Sequence, residues 1–289
     1  MATTSRLSRR AVVGIPAMLS FACRRSRRSA PVLRDLSYGP HPSHRFDVYP
    51  AAGTAVGRHP LAVLVHGGGW IGGSRSDVAG FVPHIASRGY VVANIGYRVA
   101  SEAVAPAAAE DVRNAIECVR SHAAEWEADS SRTLLIGFSA GAHLALLAAL
   151  APSNVLAGPQ SRARAIISFW GITDVPDLLE GPDVRDFAQQ WIPDGPNRME
   201  LARRLSPLTY DVPGAPDLCA VHSIHDDVVP FAQSEKLVAK FLQAKRRATL
   251  IRLSHEGHAA PEKDYPAIFA EVFRFIDPKF DAGFGRTTE

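Results

Sequence analysis

Three short stretches of this chain carry residue types that together could break an acyl bond. The first is Gly137-Phe138-Ser139-Ala140-Gly141, a serine between two glycines, set between an apolar run and an Ala/Leu-rich stretch. A Gly-x-Ser-x-Gly turn joining a buried strand to a helix holds its serine exposed on a sharp bend, with the helix N-terminus aimed at whatever the hydroxyl attacks. Ser139 is the candidate nucleophile. A serine hydroxyl needs a base to take its proton, and the base needs an acid to hold its tautomer. In this arrangement acid and histidine follow the serine at the ends of later strands. The chain offers Asp226 or Asp227 after one apolar run and His255 or His258 after the next. Spacing alone does not choose within either pair. The last stretch is His66-Gly67-Gly68-Gly69-Trp70, directly after a third apolar run. Consecutive glycines cost conformational entropy. Backbone N–H groups donated to an oxyanion would repay it. The expected donors are Gly68, Gly69 and Ala140, with His66 bracing the loop.

These stretches need a scaffold that brings strand ends together. Residues 61–65, 90–97, 133–138, 164–170, 218–223 and 248–254 are short apolar runs bounded by turn residues, as strands buried on both faces are. Residues 44–53 are expected to form an edge strand running into a turn. Helix-period segments lie between them at about 77–87, 106–125, 140–151, 231–244 and 264–276. Strands alternating with helices predict an α/β fold, a mostly parallel central sheet flanked by helices on both faces. One interval, 171–215, lacks strand character and is rich in Pro, Asp and aromatics. It is expected to be a short insertion over the active site within a single 31–289 domain.

The formal charge of +3 hides an asymmetry. Residues 1–30 hold seven arginines and no acid; removing those seven from 32 basic residues leaves 25 against 29 acidic, a net of −4. The body therefore has no basic footprint for nucleic acid. In the leader, Ser8-Arg9-Arg10 precedes the apolar stretch Ala11–Ala22, too short to span a bilayer comfortably. That grammar predicts an export leader, the alternative being a disordered basic tail. Cys23, at the end of the apolar stretch, is a candidate lipid anchor, giving a periplasmic or envelope-attached protein; without export the protein would be cytoplasmic. Cys118 and Cys219 have no short spacing motif and are expected to pack as small hydrophobes, in neither a disulfide nor a metal site. A Walker A lysine and a G-x-G-x-x-G pattern are both absent. No metal or organic cofactor is expected.

His66-Gly67-Gly68-Gly69-Trp70, Tyr97-Arg98, Gly137-x-Ser139-Ala140-Gly141, Asp226-x-Val228-Val229-Pro230 and Gly257-His258 together resemble the α/β-hydrolase esterases. The likeness runs over most of residues 45–277 and is nearest to hormone-sensitive-lipase-like carboxylesterases and their capless bacterial cousins. The resemblance implies that the acid lies four residues before the proline, which selects Asp226. It also implies that the base follows the glycine of a Gly-His pair, which selects His258. The implied activity is hydrolysis of small soluble esters through an acyl-enzyme. The chain departs from the pattern at His222-Ser223, where the family often has His-Gly, and at Ala142, where it often has glycine. "GFSAGAHLA" also resembles kynurenine formamidases, which use the same triad, but Gly69 stands where those usually carry an aromatic. An amide or formamide hydrolase is therefore the alternative activity. A non-catalytic binding protein of this fold would be expected to have lost Ser139, His258 or Asp226, and none is missing. Of Trp70, Phe138, Trp170, Phe187 and Trp191, the expected pocket residues are Trp70 and Trp170.

Overall fold

The computed structural model describes residues 32–53 and 57–280. The arginine-rich leader and Cys23 lie outside the described residues. Eight strands form one sheet: β1 (Leu33–Ser37), β2 (Arg45–Tyr49), β3 (His59–Val65), β4 (Val91–Ile95), β5 (Ala128–Phe138), β6 (Ala165–Phe169), β7 (Asp217–His225) and β8 (Ala248–Glu256). Their order is β1-β2-β4-β3-β5-β6-β7-β8. The β1/β2 and β2/β4 pairs are antiparallel, and all pairs from β4 to β8 are parallel. This is the α/β-hydrolase fold.

The central strands are apolar because helices cover both faces. Every residue of β3, β4 and β6 is buried, so none shows the alternation of a half-exposed strand. The helices are α1 (Arg75–Val78), α2 (Val82–Ala86), α3 (Ala107–His122), α4 (Ala140–Leu150), α5 (Val175–Glu180), α6 (Asp186–Trp191), α7 (Arg198–Arg204), α8 (Ala232–Gln243) and α9 (Tyr265–Phe280). On one face α3 and α4 join the larger core; on the other α2 and α9 join a second core built on Leu64, Leu134, Ile136, Ile167 and Phe273. α4 is buried on every side. It is hydrophobic all round, as a helix under the middle of a sheet must be.

Two expectations need correction. Residues 44–53 do not form the sheet edge, because β1 pairs outside β2. β1 escaped notice because its sequence, LRDLS, alternates weakly; polar contacts hold it, with Arg34 reaching Asp47 at 3.2 Å and the Asp35 backbone N–H donating to Asp47 at 3.0 Å. The helix expected at 77–87 is three pieces, α1, a 3-10 turn over Ala79–Phe81, and α2. Gly80 weakens the helix there and Pro83 fits only the first turn of a new one. The interval 171–215, between β6 and β7, carries α5, α6 and α7. Gln233 of α8 holds its start, accepting from the backbone N–H groups of Thr173 and Asp174 at 2.8 and 2.7 Å. Cys118 and Cys219 are free; Cys219 is buried as expected, whereas Cys118 is only half-buried.

Candidate active site

β5 ends at Phe138 and α4 begins at Ala140, leaving Ser139 alone to make the bend. Its φ of 54° and ψ of −121° lie where non-glycine residues rarely sit, a conformation costing about 1–3 kcal/mol. The surrounding packing enforces it. Ser139 N–H donates to Phe169 O at 2.8 Å, and Ser139 O accepts from His143 N–H at 3.1 Å. The positions two residues to either side must be glycine for lack of room: a Cβ on Gly141 would lie 2.1 Å from His66 O, and one on Gly137 would lie 2.4 Å from the Cα of Ala142. The elbow is thus packed directly on the end of β3. Ala140, the fully buried first residue of α4, has only its backbone N–H to offer.

The glycine loop after β3 is braced from behind. His66 stacks on Tyr97 with ring centres 4.2 Å apart and planes 8° from parallel. His66 Nδ1 donates to Gly67 O at 2.8 Å, and the Tyr97 hydroxyl donates to His66 O at 2.9 Å. Burial pushes the His66 imidazole down to about 4, so it stays neutral and serves as a strut. Gly68, at φ 110°, leaves no room for a side chain, since a Cβ would lie 2.1 Å from Gly72 O. Gly67, Gly68 and Gly69 line the same cavity as Ser139.

Asp226 and His258 meet at the ends of β7 and β8. His258 Nδ1 lies 2.7 Å from Asp226 Oδ2, while His258 Nε2 has no hydrogen-bond partner. The other carboxylate oxygen, Oδ1, accepts from the Val228 and Val229 backbone N–H groups, both at 2.9 Å. Burial pushes the Asp226 carboxyl upward, but hydrogen bonds from His222 and His258 overcome it and hold the group well below the ordinary carboxylate range. The side chains of Asp226 and His258 are the ones brought together. Asp227 instead lends its backbone carbonyl to Arg185, and His255 lends its own to the Ser223 hydroxyl.

His222 is a residue to which the sequence analysis gave no part in the site. It is fully buried, with Nε2 3.1 Å from Asp226 Oδ2 and 3.0 Å from Val229 O, and Nδ1 2.7 Å from Ser234 Oγ. Two acceptors at Nε2 require the proton there, leaving Nδ1 to accept from Ser234. The signal available in the sequence was a histidine near the end of a buried strand, four residues before the candidate acid.

A cavity of about 490 Å³ opens over Ser139 and His258. Trp170 lines it, with its ring centre 5.8 Å from that of His258. Trp70 does not. It is 0% exposed, stacks on Trp191 at 4.2 Å and donates its indole N–H to His143 Nδ1 at 3.1 Å. Trp70 therefore anchors the glycine loop in the core and leaves the wall to Phe81, Phe138, Phe187 and Tyr265. Phe187 comes from α6, between β6 and β7. Arg185, two residues earlier, ties that helix to the acid loop by donating to Val228 O at 2.9 Å. Among the described residues, no group of three or more His, Cys, Asp or Glu is placed to hold a metal ion.

Residues 46–241 match the BD-FAE family model. The chain belongs to the BD-FAE family. The matched span covers the glycine loop, the Ser139 bend and Asp226, and stops before His258. Within curated proteins, this BD-FAE chain is 26% identical over 225 residues to the probable carboxylic ester hydrolase LipM of Mycobacterium tuberculosis, covering 74% of this chain and 52% of LipM. It is 28% identical over 232 residues to the esterase LipQ of the same organism, covering 75% of this chain and 54% of LipQ. The chain thus spans about half the length of these relatives. Among solved structures it resembles a thermophilic esterase, Est2 of Thermogutta terrifontis, with a TM-score of 0.70 and 26% identity over 87% of this chain and 94% of that one. A truncated carbohydrate esterase from gut microbiota shares the fold, with a TM-score of 0.72, 24% identity, and 84% and 96% coverage.

Proposed function

We propose that this BD-FAE protein is a serine carboxylic-ester hydrolase acting on small esters through an acyl-enzyme. The observation that carries the reading is His258, with Nδ1 held by Asp226 at 2.7 Å, Nε2 unpartnered, and its side chain on the cavity it shares with Ser139. Ser139 Oγ attacks the ester carbonyl and passes its proton to His258 Nε2. Asp226 fixes the tautomer and stabilises the imidazolium that forms. N–H groups of Gly68, Gly69 and Ala140 receive the oxyanion. His258 then returns the proton to the leaving alcohol and activates the water that frees the acid. The esterases LipM, LipQ and Est2 support the same bond type. The leader's basic and apolar segments support export, which cell fractionation with an antibody to the full chain would test.

The test is initial rates of the full chain on p-nitrophenyl esters from acetate to laurate and on N-formylkynurenine, with Ser139→Ala beside it. Turnover of short esters that vanishes in the variant is expected. Turnover of the formamide alone would move the protein to amide chemistry.

A further inference from the structure

The cavity over Ser139 has a charge asymmetry that ester hydrolysis does not require. Its wall is glycine backbone, aromatic rings and aliphatic side chains, and no lysine or arginine is among the described residues lining it. Apart from His258, the acidic or basic side chain there is Asp77, exposed at the mouth on α1. Asp77 does cap its own helix, accepting from Ser74 N–H at 2.8 Å with one oxygen; the other is 3.5 Å from Ser74 Oγ. An asparagine would cap in the same way, so the cap does not demand the charge.

Nearby cations are spent elsewhere. Arg75, on the same helix, turns to Asp47 at 2.5 Å and Asp35 at 2.6 Å. Arg185, beyond the acid loop, gives its guanidinium to the carbonyls of Val228, Asp227 and Val184. The mouth therefore presents an uncompensated negative charge above an apolar interior.

We propose that the site selects esters whose distal end carries a cation, such as an alkylammonium, over neutral isosteres, and rejects esters bearing a second carboxylate, with Asp77 setting the preference. The proposal rests on the esterase reading. A unit charge about 6 Å from Asp77 through water gains or loses roughly threefold in rate constant, so cation and anion differ by roughly tenfold at low salt. Aromatic walls such as Trp170 and Tyr265 favour the cation further.

The experiment compares kcat/KM for acetylcholine, its neutral isostere 3,3-dimethylbutyl acetate and the anionic 4-acetoxybutanoate. It uses the full chain at about 10 mM and about 0.5 M salt. The expected order is cation, neutral, anion, with the ratios compressing towards one at high salt. Asp77→Asn should collapse the cation-to-anion ratio, and Asp77→Lys should invert it. The salt series in the unaltered protein tests the proposal even if a variant misfolds. Turnover of the neutral ester that disappears in Ser139→Ala, without discrimination by charge, overturns the selection and leaves the esterase reading standing. No turnover of any of the three by protein that still cleaves p-nitrophenyl acetate overturns the selection alone; silence on that ester as well overturns both.

Discussion

His222 Nε2 approaches the same oxygen of Asp226 that His258 Nδ1 approaches, at 3.1 and 2.7 Å. The Asp226 carboxylate is therefore held from two sides, by His258 and by a buried imidazole locked by Ser234. His222→Phe leaves a buried carboxylate one donor short, at a cost of about 1–3 kcal/mol. We expect lower thermal stability at pH 7 and a fall in kcat of roughly tenfold with KM little changed. Asp226 is held below its ordinary 3.8, so its contribution is present above that pH and is lost as pH falls towards the depressed value. The stability gap between variant and parent should therefore narrow below 3.8, as denaturation at stepped pH would read.

The glycine loop separates two kinds of crowding. A Cβ on Gly68 meets backbone, Gly72 O at 2.1 Å, whereas one on Gly69 meets the Phe187 side chain at 2.9 Å. Gly68→Ala should cost on the order of a hundredfold in kcat, about the worth of one oxyanion donor. Gly69→Ala should cost less, and Phe187→Ala should recover part of that loss. A double-mutant cycle on kcat/KM measures the coupling; additive effects would deny the contact its role.

Trp70 packs into the core, whereas Trp170 and Phe187 line the cavity. Trp70→Phe removes the N–H bonded to His143 but no cavity surface, so it should lower Tm without altering the preference for ester chain length. Trp170→Ala and Phe187→Ala remove cavity wall and should shift that preference towards longer acyl groups. Rates on the p-nitrophenyl series, read beside calorimetry, separate the two.

Two buried imidazoles set the acid limit of stability. Burial pushes His66 from 6.5 to about 4 and His143 to about 3; His143 is held neutral by accepting from Trp70 while donating to Leu205 O at 2.6 Å. Below 6.5 the unfolded chain binds protons that the folded chain refuses, so stability falls as pH drops from 6.5 towards 4 and below. Each group contributes a slope of about 1.4 kcal/mol per pH unit in that window. Denaturant melts at half-unit pH steps should show the slope, and His143→Gln should reduce it to about half, the share of His66.

Much of this was open to reading from the residues in order. The buried strands of the sheet centre announce themselves because burial on both faces leaves no polar position to blur the pattern, as in Leu61–Val65 and Ala165–Phe169. The elbow was legible because a serine bend packed on the end of β3 tolerates only glycine at 137 and 141. The choice of Asp226 and His258 needed resemblance, since Asp227 and His255 are chemically equal in one dimension. Tertiary structure decided what depends on side-chain direction across distant segments. Trp70 and Trp170 follow similar strand-to-loop junctions, yet one is drawn inward by Trp191 and His143 while the other faces the cavity. His222 looks like any core histidine until the turn after β7 folds Asp226 back onto it. β1 has too few apolar residues to signal a strand and exists because Asp47 and Arg75 wait at the edge of the sheet. Periodicity reports which way a strand or helix faces; it carries no information on which partner arrives from elsewhere in the chain, and that partner is what assigned these residues their roles.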